Sequence, residues 1–159
     1  MSSDLRLFAD FMAFSAAVTG FSEFKLYGTG QANLYFSTVV DIVGEAPLRE
    51  LLQSFRRIQQ ESGRDESALE DGLRAGIFCA GLLGPIARNV IKLWYVATWY
   101  QLPLEWREAY GPREKDTTFV VSAAAYPEGL LWPTIGANPA GAKGPGYGTW
   151  SEPPQIGEL

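Results

Sequence analysis

A chain of 159 residues is long enough for one domain with its own core. Its net charge of −5 argues against a phosphate-neutralising surface, so no nucleic-acid partner is expected. It has no histidine and one cysteine. That rules out a Ser-His-Asp triad and histidine-ligated zinc, and also an internal disulfide, cysteine-ligated zinc or an iron–sulfur cluster held by this chain alone.

Aromatic residues make up 13% and charged residues only 19%. That pairing suggests apolar surface meant for another protein. The longest uncharged runs, Leu26–Val40, Ala75–Ala87 and Gly129–Ala142, fall short of the roughly 18 residues a membrane span needs.

Residues 1–102 read as a helical domain of about five helices. Ser2 or Ser3 caps the first helix, Gly20 stops it, and Leu5, Phe8, Phe11, Met12, Ser15 and Val18 form its apolar stripe. A second helix over residues 28–44 turns Leu34, Val39 or Thr38, and Ile42 inward, although YFSTVV within it would also suit a strand. The third starts at Pro47 and carries Leu48, Leu51, Leu52, Phe55 and Ile58 on one face. After a polar loop at 60–67, a fourth runs from Glu66 to Leu82 and holds Cys79 in an apolar setting. There the thiol reads as a small buried hydrophobe, the other reading being a disulfide to a second chain.

The fifth helix spans 84–103, with Pro85 in its first turn and Pro103 at its end. Ile86, Val90, Leu93, Trp94 and Ala97 share one face, and Ile91, Tyr95, Trp99 and Leu102 another. A helix apolar on two sides is either central to a core or covered by a second protein.

Beyond it, residues 103–159 hold eight of the ten prolines, with Trp106, Trp132 and Trp150. The recognisable elements are an extended stretch at 117–122 and a short helical turn at 123–131, broken by Pro127. So long a structureless segment is improbable inside a compact domain, and true disorder is improbable with this many aromatics. The expectation is a mainly α protein: a compact helical N-terminal bundle followed by a long, largely irregular arm that lies on a partner. Trp94 and Trp99 of the fifth helix, and Tyr126, Trp132, Tyr147 and Trp150 of the arm, are the expected partner-binding residues.

Catalytic motifs are weak. The stretch 28-GTGQAN-33 lacks the third glycine of a dinucleotide loop, 144-GPGYG-148 lacks the Lys-Ser/Thr of a phosphate loop, and there is no GxSxG. Glu66, Glu70 and nearby Asp65 read as a solvated helix face. No catalytic, cofactor-binding or metal residue is expected.

Three stretches together, 19-TGFSEFKLYGTG-30, 84-GPIARNVIKLWYVATWYQLP-103 and 116-DTTFVVSAAAYPEGLLWPTIGANPAGAKGPGYGTW-150, resemble the small subunit of bacterial flavin-dependent sugar and polyol dehydrogenase complexes, among them sorbitol, fructose, gluconate and glucoside-3 dehydrogenases. The resemblance runs from about Phe8 to Trp150 and does not separate the substrates. It implies a non-catalytic subunit without a cofactor of its own, which wraps and stabilises a large subunit resembling glucose-methanol-choline oxidoreductases. That partner carries FAD and often an iron–sulfur cluster and oxidises a sugar hydroxyl; some complexes add a cytochrome c subunit. Many such small subunits begin with a twin-arginine signal, whereas this chain begins MSSDLRLFADFMAF, so the expected location is periplasmic if a signal was removed and cytoplasmic if the chain is complete. The alternative from a different class is a stand-alone helical protein that binds a small ligand or works with carboxylates or a tyrosine.

Overall fold

The computed structural model describes residues 3–139, 141 and 142. It is mainly α, as expected. Its helices are α1 (Ser3–Thr19), α2 (Glu23–Gly28), α3 (Ala32–Val43), α4 (Glu45–Ser62), α5 (Glu66–Leu73), α6 (Leu83–Val96), α7 (Leu104–Tyr110) and α8 (Leu131–Thr134). Two short strands, β1 (Thr98–Trp99) and β2 (Phe119–Val120), pair antiparallel, with Trp99 opposite Phe119.

Helix α4 shows how the bundle forms. Leu48, Leu51, Leu52, Phe55 and Ile58 are all buried, as the three-and-four spacing predicts, while polar residues face out. In α1 the stripe holds at Phe11, Met12 and Ser15 and also takes in Leu7 and Phe14, but Leu5 is exposed. YFSTVV is helical within α3, where Tyr35 and Val39 are buried against the bundle. Burial against α4 and α6 overrides the β-branched preference.

The expected fourth helix is shorter and wider than its sequence suggests. After Leu73 the chain makes a π-helical turn over Arg74–Phe78. Gly72 and Gly76 lie so close to α4 that an added Cβ would fall 2.5 Å from Ile58 Cγ2 and 3.0 Å from Ile58 Cδ1, respectively. Cys79 follows this turn and is exposed, not the buried hydrophobe expected of it. The apolar run around it is split: Ile77 turns inward and the thiol outward.

The larger departure lies at the end of α6. The helix stops at Val96, seven residues before Pro103, because Ala97 adopts a left-handed conformation (φ 52°) with no glycine to announce it. Asn89, 3% exposed, holds the chain after this turn: its Nδ2 donates to Tyr100 O at 2.8 Å and its Oδ1 accepts from Tyr100 N at 3.1 Å. Trp99 is therefore a strand residue, not part of a second helical face.

Trp94 and Trp99 are 1% and 0% exposed within the chain's own core. Both correct the expectation that they bind a partner, because neither offers a partner any surface. The second face of α6 is closed by this same chain, with Leu130 N donating to Trp94 O and Tyr95 Oη donating to Thr19 O.

The core does not end at residue 102. Trp106, Ala125 and Leu130 belong to the same apolar cluster as the helices, and Trp106 Nε1 donates to Leu82 O at 2.9 Å. Asp116, 2% exposed, accepts from Trp99 Nε1 at 2.8 Å and from Leu102 N at 3.0 Å. From residue 103 to about Leu130 the chain is thus a return segment packed on its own helices, not an arm laid wholly on a partner. Its prolines and glycines separate short elements, and its buried apolar side chains pack on helices already present.

Replacing Asp116 with Ala should strand two buried donors and cost about 2–4 kcal/mol, read as a lower urea midpoint at unchanged slope. Truncation after Leu102 should abolish cooperative unfolding, because it removes Asp116 and uncovers the apolar surface under Trp106, Ala125 and Leu130. A truncated chain with a full cooperative transition would contradict this account.

A candidate partner-docking groove

Sequence reasoning missed α2, although its signals are present. Ser22 is extended and its side chain accepts from Lys25 N, capping a helix that carries Glu23 in its first turn. Leu26 is the one buried side chain of this helix. The opposite side presents Phe24, 89% exposed, and Tyr27, 48% exposed, although Tyr27 also meets the ring of Phe8 edge-on. So large an exposed aromatic on a short, capped helix is held in place without being used by the core.

Facing α2 is the segment from Tyr126 to Pro139. Residues Tyr126–Glu128 form a 3₁₀ turn, and α8 follows directly after Leu130. Pro127 and Pro133 sit inside these elements and keep both short. Tyr126 and Trp132 pack edge-to-face at 5.4 Å between centroids, and Trp132 Nε1 donates to Tyr126 O at 3.0 Å. Gly129 lies against α6, where an added Cβ would stand 2.7 Å from Tyr95 O. No side chain fits there, so this glycine lets the segment approach the helix end closely.

Between α2 and this segment lies a groove of about 470 Å³. Phe24, Lys25, Gly28 and Thr29 form one wall, and Pro127, Glu128, Leu130, Trp132, Pro133 and Pro139 the other. Its charges, Lys25 and Glu128, are of opposite sign. The remaining lining is mostly rings and backbone, which suits an extended apolar chain or a bulky partner side chain.

Of the residues expected to bind a partner, Trp132 lines this groove and is half-buried, and exposed Tyr126 packs against it just outside the lining. Trp94 and Trp99 are not part of it. Tyr147 and Trp150 lie outside the described residues. Phe24 was not among the sequence candidates; the signal that pointed to it was its place in 19-TGFSEFKLYGTG-30. No group of three or more His, Cys, Asp or Glu side chains is placed to hold a metal among the described residues. No single helix among them is long and apolar enough to cross a membrane.

Beneath this face, Tyr35 is 1% exposed and packs edge-on against Trp94 at 4.9 Å. Its hydroxyl has no hydrogen-bond partner among the described residues. Burial pushes the phenol's pKa well above its ordinary value, and the negative charge of Glu128 adds to the shift.

No family model, curated protein or solved structure matches this chain.

The sign of the Tyr35 shift sets a pH dependence. The unfolded phenol ionises near pH 10 and the folded one only at higher pH. The stability from keeping it neutral is therefore fully present below about pH 10 and falls above it, by roughly 1.4 kcal/mol per pH unit. Tyr35→Phe should leave stability at neutral pH nearly unchanged and flatten this alkaline decline. Urea titrations of both proteins between neutral and alkaline pH would test it, and identical slopes would contradict the assignment.

Proposed function

We propose that this chain is a non-catalytic subunit that docks onto and stabilises the FAD-containing large subunit of a sugar or glycoside dehydrogenase complex. The observation that carries the reading is the groove. Its two walls come from 19-TGFSEFKLYGTG-30 and from the YPEGLLWPTIGANP portion of 116–150, nearly a hundred residues apart in sequence and both among the stretches that resemble the dehydrogenase small subunits. An exposed Phe24 and the paired rings of Tyr126 and Trp132 suit an interface anchor.

On this reading the flavin, and any iron–sulfur cluster, belong to the large subunit, and a cytochrome c subunit would accept the electrons in complexes that contain one. The small subunit contributes shape and apolar area. An anchor buried on binding contributes about 1.5–3 kcal/mol by area alone, and a few such residues carry most of an interface's energy.

Co-expression with a candidate large subunit should yield a yellow complex that oxidises a sugar, while the isolated chain stays colourless and inactive. Phe24→Ala and Trp132→Ala should each weaken the complex by about 1–4 kcal/mol. Phe24→Ala should leave the isolated chain's unfolding unchanged, because the ring is not part of the core. Turnover by the isolated chain would overturn the proposal, as would a complex unaffected by both substitutions.

A further inference from the structure

The β1–β2 ribbon has two outer edges, and they are treated differently. On the β1 side, Asn89 takes both main-chain groups of Tyr100, accepting from its N–H and donating to its C=O, and so stands in for a further strand. On the β2 side nothing does. Trp99 lies opposite Phe119, and Val121 N donates to Ala97 O at 3.0 Å. Hydrogen-bonded pairs alternate along an antiparallel ladder, so Phe119 turns its main-chain groups toward β1, while Val120, opposite Thr98, turns its N–H and C=O outward. Neither outward group has a hydrogen-bond partner among the described residues. Val120 is 54% exposed and Phe119 37%, and Thr117 and Thr118 before them are exposed as well. From Thr117 to Tyr126 there is neither a charge nor a proline. The edge therefore lacks the lysine or proline with which proteins commonly keep a strand from pairing.

We propose that this edge pairs with the same edge of a second copy of the chain, antiparallel about a two-fold axis through Val120, to give a four-stranded sheet across a dimer. Each Val120 N–H donates to the other copy's Val120 C=O. This register sets Phe119 of one copy opposite Val121 of the other, and Thr118 opposite Ser122. The stretch 118-TFVVS-122 thus reads hydroxyl, three apolar, hydroxyl in either direction, and a two-fold contact requires that self-match, whereas a foreign strand does not. No like charges meet along the pair: Asp116, 2% exposed, falls opposite Ala124, and Lys115 opposite Ala125. Away from the edge, two bodies of charge −5 repel one another, so salt strengthens this contact where it would weaken one made by ion pairs. An edge this short buries far less than the roughly 1,600 Å² of a standard interface, so the dimer is a weak one that exchanges with monomer. The inference uses none of the residues that line the groove and does not depend on a flavoprotein partner.

The test is sedimentation equilibrium of the full-length chain from micromolar to millimolar concentration at low and high salt, with amide hydrogen exchange on the same samples. The chain should pass from monomer to dimer and associate more tightly at high salt. The Val120 amide should exchange more slowly as concentration rises, while that of Phe119, bonded to β1, should not change. Val120→Pro removes an N–H that the β1–β2 ladder does not use, so it should weaken the dimer at least about tenfold and leave urea unfolding cooperative. Val120→Thr, which keeps the N–H, should dimerise as the unaltered chain does. Phe24→Ala should also leave the dimer intact, which separates this contact from the groove. A chain that stays monomeric throughout would overturn the proposal, as would a dimer that survives in folded Val120→Pro or is lost in Phe24→Ala. If Val120→Pro does not fold, hydrogen exchange of the unaltered chain decides: a Val120 amide indifferent to concentration would also overturn it.

Discussion

The Asp116 carboxylate, closed off from water, accepts hydrogen bonds from the Trp99 indole and the Leu102 amide, and the second half of the chain depends on that arrangement. A carboxylate is costly to bury unless its lone pairs are used, and here donors from the turn after α6 use them. The two residues that Asp116 ties together lie just beyond the left-handed turn at Ala97, where α6 is abandoned. Fixing that turn sends the chain back over the bundle, sets Trp106 under Leu82, and lets the β1–β2 pair form. Without this tie the apolar side of α6 facing the return segment would stay open, and a helix apolar on two sides would have to find its cover elsewhere.

The groove follows from the same closure. Leu130 docks on the end of α6 through its amide to Trp94 O, and Gly129 allows the backbone to approach. Once Leu130 is fixed, Tyr126, Trp132 and the prolines have a defined position opposite α2. Short proline-broken turns stiffen that wall without a long helix or a sheet, so its rings lose little freedom when a partner binds. The surface built this way offers area and shape, with one cation and one anion in its lining.

Charge is distributed differently from apolar area. The chain is acidic overall, yet three of its arginines converge between α1 and α4. The Asp10–Arg56 pair joins these helices across a half-exposed interface, where it specifies alignment more than it adds stability.

Much of the helical half was legible locally. The α4 stripe, the Gly20 stop with its positive φ, and the inward Val39 and Ile42 of α3 follow from spacing and glycine placement, because a helix's buried face repeats within a few residues of itself, whereas Tyr35 of α3 was not foreseen. The aromatic weight of Tyr126 and Trp132 on a proline-rich segment was equally plain. What could not be read was where that segment would lie. Trp94 and Trp99 carry the same local signature whether a partner or the chain's own return segment covers them, and only contacts across many residues separate the two cases. The turn at Ala97 has no glycine to mark it; it is held by Asn89 and Asp116, eight residues before it and nineteen after. Cys79 is exposed because the π-helical turn, set by close packing of Gly72 and Gly76 on Ile58, rotates it outward. Local periodicity specifies which residues want burial; long-range hydrogen bonds and packing determine which surface supplies it.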